Sequence, residues 1–178
     1  MAQLRGVRAD RPRLVDKLPF NFFYAGLIHR ALPNARIVCL RRGAMDTCLS
    51  NYRQLFAQDS PFHDYACDLG DIARYVAAFD RLANHWRQVL PPDRFIELRY
   101  EQLVARQEDE TRRLLAFCGL DWDPRCLAFQ DNAAGVSTAS VVQVRQPLFS
   151  TSIGRWRRYG PGLAEAEAVL ADAGVAAD

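Results

Sequence analysis

The stretch Arg41-Arg42-Gly43-Ala44-Met45-Asp46-Thr47-Cys48-Leu49-Ser50 holds residue types that can grip a phosphate. It overlaps the end of a short apolar run, Arg36-Ile37-Val38-Cys39-Leu40-Arg41, which is rich in β-formers and bounded by Pro33-Asn34 and Gly43. That pattern predicts a buried strand. In open α/β sheets ligands sit at strand C-termini, against the N-terminus of the following helix, whose free N–H groups and dipole favour anions. Arg42 stands at the strand end, where its planar fork can make two charge-assisted bonds, each worth about 1.5–3 kcal/mol. Ser50 is four residues beyond Asp46, so both fall on one helix face and the hydroxyl can donate to the same group. Asp46 can cap the helix or fix the arginine. An ordinary capped helix with a surface arginine has the same spacing.

Composition sets the background for that motif. The chain has 178 residues, 49% apolar and 25% charged, with a formal net charge of +2. This is one domain of ordinary globular composition, with no low-complexity stretch and no apolar run near the ~18–20 residues that span a membrane. Of the 23 basic residues, 22 are arginine and one, Lys17, is lysine; together with 25 alanines this reads as GC-rich coding bias. Arginine excess alone is therefore no sign of nucleic-acid binding. Charge is unevenly spread: Met1–Arg42 carries nine basic and two acidic residues, and Asn132–Ala164 carries four arginines and no acid. Two basic segments far apart in sequence could converge on one anionic ligand, or form a solvated basic face.

The five cysteines (Cys39, Cys48, Cys67, Cys118, Cys126) show no C-x-x-C spacing and no nearby histidine at ligand spacing. A disulfide framework or zinc site is not expected. The N-terminal MAQLRGVRADRPR has charges but no apolar stretch behind them, which is not a secretory signal, so a cytoplasmic location is expected.

The elements that must position these residues follow from periodicity. Arg94–Tyr100 reads as a second strand after the Pro91-Pro92 breaker. Asp71 is the expected N-cap of a helix whose apolar face runs through Ile72, Tyr75, Val76, Phe79, Leu82, Ala83, Trp86, Val89 and Leu90. Asn21–Leu32 is a further helix candidate, and Gln107–Cys118 is a helix stopped by Gly119. The last forty-odd residues read as a loop rich in Gln, Ser and Arg, then a short helix around Leu163–Leu170. The order indicates an α/β protein with a largely parallel sheet.

The R-x-x-x-D-x-x-x-S pattern after a strand resembles the 3′-phosphate motif of sulfotransferases that use 3′-phosphoadenosine 5′-phosphosulfate (PAPS). Other segments agree in order. Asp16-Lys17-Leu18-Pro19-Phe20-Asn21 is similar to the D-K-x-P-x-N of the sulfotransferase domains that follow tetratricopeptide repeats, relatives of the tyrosylprotein enzymes. F-I-E-L-R-Y-E-Q-L-V (Phe95–Val104), Cys118-Gly119-Leu120-Asp121-Trp122, the T-A-S-x-x-Q-V-R-x-P of Thr138–Pro147 and Ser152-Ile153-Gly154-Arg155-Trp156 resemble later family segments. The likeness runs from about residue 15 to residue 170.

The resemblance implies a P-loop-NTPase-like parallel sheet flanked by helices, with PAPS as sulfuryl donor and 3′-phosphoadenosine 5′-phosphate (PAP) as product. Arg42 and Ser50 would hold the 3′-phosphate. Lys17 would face the transferring sulfuryl group, with Ser140 helping to stabilise it. Arg155 would take a basic position near the nucleotide's 5′ end, and Arg145 would be a further phosphate ligand. Tyr100 would pack the strand end. The acceptor would be a hydroxyl on a peptide, a carbohydrate or a small molecule, and an upstream tetratricopeptide-repeat region is a possible neighbour. No metal, nucleic acid or membrane is implied.

Two departures stand out. Gly43-Ala44 replaces the proline usual two residues after the phosphate arginine. The glycine-containing phosphosulfate loop and its strand, expected upstream of Asp16, and the acceptor-activating base that follows the loop do not occur in this sequence. The chain thus reads as a single partial domain whose strands would be left with unpaired edges and a tendency to self-associate. Two other readings stay open: a non-catalytic PAP- or nucleotide-binding module, and an arginine-rich nucleic-acid binder using Trp156 and Tyr159. His29 and His85 read as structural histidines and His63 as a loop residue that could border the acceptor. Glu108-Asp109-Glu110 reads as an acidic first helical turn.

Overall fold

The computed structural model describes residues 13–54, 56, 61–132 and 145–178. Its sheet has two parallel strands, β1 (Ile37–Arg41) and β2 (Phe95–Arg99), in register from Ile37 opposite Phe95 to Arg41 opposite Arg99. The expected α/β architecture is thus present. Between the strands the chain makes helix α2 (Ala44–Tyr52), a 3₁₀ segment (Pro61–Cys67) and the long helix α3 (Leu69–Val89). A 3₁₀ segment (Pro19–Tyr24) and α1 (Ala25–Ala31) precede β1. After β2 come α4 (Tyr100–Ala105), α5 (Gln107–Cys118), 3₁₀ segments at Pro124–Asp131 and Arg155–Leu163, and α6 (Ala164–Asp172).

The main core lies between α2, α3 and α6, where Met45, Cys48, Leu49, Ile72, Ala73, Val76, Ala166 and Leu170 are buried together. A smaller core joins Ala25, Leu90 and Phe95, with Ile37, Cys39 and Trp86 against it. Burial pushes the Cys48 thiol up to about 12 and the Cys39 thiol up to about 11. Among the described residues no helix is long and apolar enough to cross a membrane.

Several boundaries differ from the sequence expectation, each for a local reason. The N-cap of α3 is Asp68, whose extended backbone lets its carboxylate accept the Asp71 N–H at 2.8 Å; Asp71 is three residues inside. Val89 is exposed, because the apolar face has rotated away by the helix end. The α1 region begins as a 3₁₀ helix because the Trp86 indole N–H takes the Phe22 carbonyl at 2.7 Å, an oxygen that an α-helix would direct to Gly26. Gly26 permits this approach: a Cβ there would lie 2.8 Å from the Trp86 ring. Helix α5 ends as expected, with Gly119 in the left-handed region at φ 61°. Strand β2 stops at Arg99, and Tyr100 opens α4 instead of ending the strand.

Strand β1 is covered on one face only. Ile37, Cys39 and Arg41 are half-buried, whereas Val38 is 40% and Leu40 56% exposed. The continuous apolar run that suggested a fully buried strand therefore leaves a bare apolar face, and among the described residues no third strand pairs with the sheet.

Arg41 fastens the sheet to α3. Its guanidinium pairs with Asp80 and lies 3.0 Å from Glu97 on β2, while Asn84 donates to the second Asp80 oxygen at 2.8 Å.

Candidate functional site

Parallel pairing brings the residues just beyond the two strands side by side, and the site is built there. Arg42, directly after β1, lies with its guanidinium carbon 5.4 Å from the Tyr100 ring centroid at the end of β2. The Tyr100 hydroxyl donates to the Phe149 carbonyl at 3.1 Å, and Arg42 Nη2 donates to the Ser152 carbonyl. These contacts close a cleft of about 360 Å³ lined by Arg42, Ser50, Arg53, Tyr100, Ser152 and Arg155, with Asp46 at its wall. Arg42 and Ser50, paired by spacing, and Arg155, brought forward only by resemblance, thus meet in one cavity.

The N-terminus of α2 is not the open anion cradle that its position after a strand suggested. Gly43 N–H donates to Glu101 Oε1 at 2.8 Å, and Met45 N–H donates to the Ala177 carbonyl at 3.0 Å. The segment beyond α6 folds back over this end. Asp178 accepts from the Trp156 indole at 3.1 Å and pairs with Arg157. Internal acceptors therefore take two of the amides at this end, and the arginines of the cleft supply its positive charge.

Asp46 also departs from its expected role as a cap. It is 3% exposed, and its two oxygens accept the Gly154 N–H at 2.6 Å and the Trp156 N–H at 3.0 Å. It also lies 3.8 Å from Arg42 Nη2, so the reading that it fixes the arginine is met in part.

Three guanidinium groups and one carboxylate line this cleft. Arg53 and Arg155 have no carboxylate within ion-pair distance among the described residues, unlike Arg41, Arg74, Arg112 and Arg125. Arg42 Nε is buried with no hydrogen-bond partner. Uncompensated guanidinium groups beside a hydroxyl suit a phosphate monoester, and a buried unpaired donor marks a place where a ligand oxygen would be worth a charge-assisted bond.

The other sequence candidates are placed as follows. Lys17 is exposed on the extended run before Pro19 and lines neither this cleft nor its neighbour. That neighbour, about 340 Å³, shares Arg42 and Ser50 and is walled by Pro19, Phe22 and Phe79. Arg145 donates to the Asn132 carbonyl and does not line the cleft. Ser140 lies outside the described residues. His63 stacks on Phe56 with ring centroids 4.2 Å apart, and His85 tilts against Trp86. Glu110 is in the first turn of α5 as expected, but it is buried at 5% exposure and pairs with Arg113 at 2.7 Å. Among the described residues no three His, Cys, Asp or Glu side chains group as metal ligands.

Sequence reasoning passed over Arg53 and underrated Tyr100. Arg53 sits three residues after Ser50, one helical turn on, a signal the i, i+3 rule could have supplied. Tyr100 follows β2 as Arg42 follows β1, so parallel register would have paired them.

A parallel β-helix-β crossover with an arginine-lined cleft at its strand ends defines the class as an α/β protein with its cleft at the strand C-termini. The model of the sulfotransferase family matches residues 1–124, and the chain belongs to that family. The matched span contains Lys17, Arg42 and Ser50 and stops before Arg145 and Arg155. An uncharacterized protein of Aquifex aeolicus (strain VF5) is 38% identical over 151 residues, covering 85% of this chain and 20% of that protein. The chain thus spans about a fifth of the length of this relative. A solved sulfotransferase domain from the curacin biosynthetic pathway superposes with a TM-score of 0.68 over 99% of this chain and 68% of its own; at 18% identity the likeness is one of fold.

Proposed function

We propose that the cleft of Arg42 and Ser50 holds the 3′-phosphate of PAPS or PAP, and that the chain serves transfer of a sulfuryl group to a hydroxyl acceptor. Arg155, which the resemblance set near the nucleotide's 5′ end, is reassigned to the 3′-phosphate because it lines the same cleft as Arg42 and Ser50. The observation that carries this is the meeting of these three residues, with Arg53, in a cleft whose guanidinium groups outnumber its carboxylate. In such a transfer the sulfur–oxygen bond to the 5′-phosphate breaks, a bond to the acceptor oxygen forms, and the acceptor proton leaves to a base. The transition state is loose, with charge on the equatorial and leaving oxygens, so positioned cations supply most of the stabilisation. Lys17, a compact charge on a flexible stem, is assigned to the leaving side, with Ser140 beside the sulfuryl group and Arg145 as an outer phosphate ligand. A cytoplasmic setting belongs to the same reading.

Titration calorimetry with PAP and with adenosine 5′-monophosphate tests it. PAP is expected to bind at least about 100-fold more tightly, because the monophosphate lacks the group that about two charge-assisted bonds would hold. Equal affinities would sink the reading. The exposure of Lys17, outside both clefts, favours a second reading, a PAP-binding module without turnover. Sulfate transfer from PAPS by the 178-residue chain would exclude it.

A further inference from the structure

Resting on the assignment of this cleft to a 3′-phosphate, we propose that Asp46 is a positioning residue. It sets where Arg155 stands relative to Arg42 and so confers preference for a 3′-phosphorylated nucleotide. The two amides it receives, Gly154 and Trp156, bracket Arg155 in the chain. Gly154 is left-handed at φ 65°, and alternating backbone of this kind turns successive N–H groups into an anion-binding concavity. Here the concavity is filled by a buried internal carboxylate from a helix about a hundred residues earlier. A free anion is thereby excluded from those amides, and the Arg155 side chain is left to meet the ligand. The Asp46 carboxylate also approaches Arg42 Nη2, the same nitrogen that donates to the Ser152 carbonyl. One side chain thus gauges the spacing of two arginines that belong to remote segments.

Asparagine at position 46 keeps the volume but has a single acceptor oxygen, so one of the two amides would face an NH₂ group. The test compares PAP with adenosine 5′-monophosphate in wild type, D46N, R155A and the double variant. D46N is expected to cut PAP affinity about 10-fold, a coupling common for residues acting through one another, and to change monophosphate affinity less than twofold. In the R155A background D46N should have no further effect on PAP. A merely structural role would weaken both nucleotides alike and add to R155A, and either result overturns the proposal. Wild type with no preference for PAP would overturn the 3′-phosphate assignment itself, whereas a preserved preference in D46N overturns only the positioning role. If D46N does not fold, D46E decides. Its carboxylate, longer by one methylene, should lose PAP preference while keeping charge, and a D46E variant indistinguishable from wild type sinks the idea.

Discussion

Replacing Arg42 by alanine is expected to weaken PAP binding by about 10²–10⁴-fold. The estimate takes two charge-assisted bonds at about 1.5–3 kcal/mol each, with every 1.4 kcal/mol worth tenfold. Arg42 is the cation nearest both walls of the cleft: it lies on Tyr100, is tied to Ser152, and keeps a buried Nε without a partner. Lysine should recover only part of the loss, since a point charge cannot reproduce a planar fork or lie flat on an aromatic ring. Stability should change much less than affinity, because the side chain is partly exposed and its protein partners include one backbone carbonyl. Calorimetry beside a thermal melt separates the two effects. An R42A chain that binds PAP within threefold of wild type would remove the residue from the site.

Its neighbour should behave in the opposite way. Arg41→Ala is expected to cost about 3–5 kcal/mol of stability, the usual penalty for leaving a partly buried charge uncompensated. Arg41 stands between Asp80 on α3 and Glu97 on β2, with all three side chains at 21% exposure or less. Without it Asp80 keeps only the Asn84 amide and Glu97 only the exposed Arg87, 3.4 Å away. For a chain of this size the thermal midpoint should fall on the order of 10 °C. Arg41→Met, which keeps most of the volume, should fall almost as far, because the loss is one of charge. A midpoint within about 2 °C of wild type would show that the pair is screened by water in the manner of a surface salt bridge.

Two adjacent arginines with such different duties show what could be read from residues alone. Features that depend on near neighbours were legible: two strands bounded by Pro, Asn and Gly, a long apolar-faced helix, and the stop at Gly119. The candidate site was legible as Arg42 and Ser50, since a strand end and one helix turn suffice to place them. The duties of Asp46, Glu101 and the segment beyond α6 were not, because their partners lie 110, 58 and over 100 residues away. Periodicity carries no information about such pairings. It also cannot report how many layers cover a strand, so β1 reads as buried from its apolar run while Val38 and Leu40 stand exposed. Among 22 arginines, resemblance was needed to bring Arg155 forward, and only the three-dimensional contacts separated it from Arg145.

The parallel register has a consequence for the order of events while the chain is made. Strand β1 cannot pair until β2 has been synthesised, and Arg42 receives its carbonyl from a residue 110 positions later. Contacts of such separation form late, after the closure of long loops. A nascent chain interrupted between Ser50 and Ser152 would carry every residue from Arg41 to Ser50, yet lack Ser152 and Arg155, which line the cleft with Arg42.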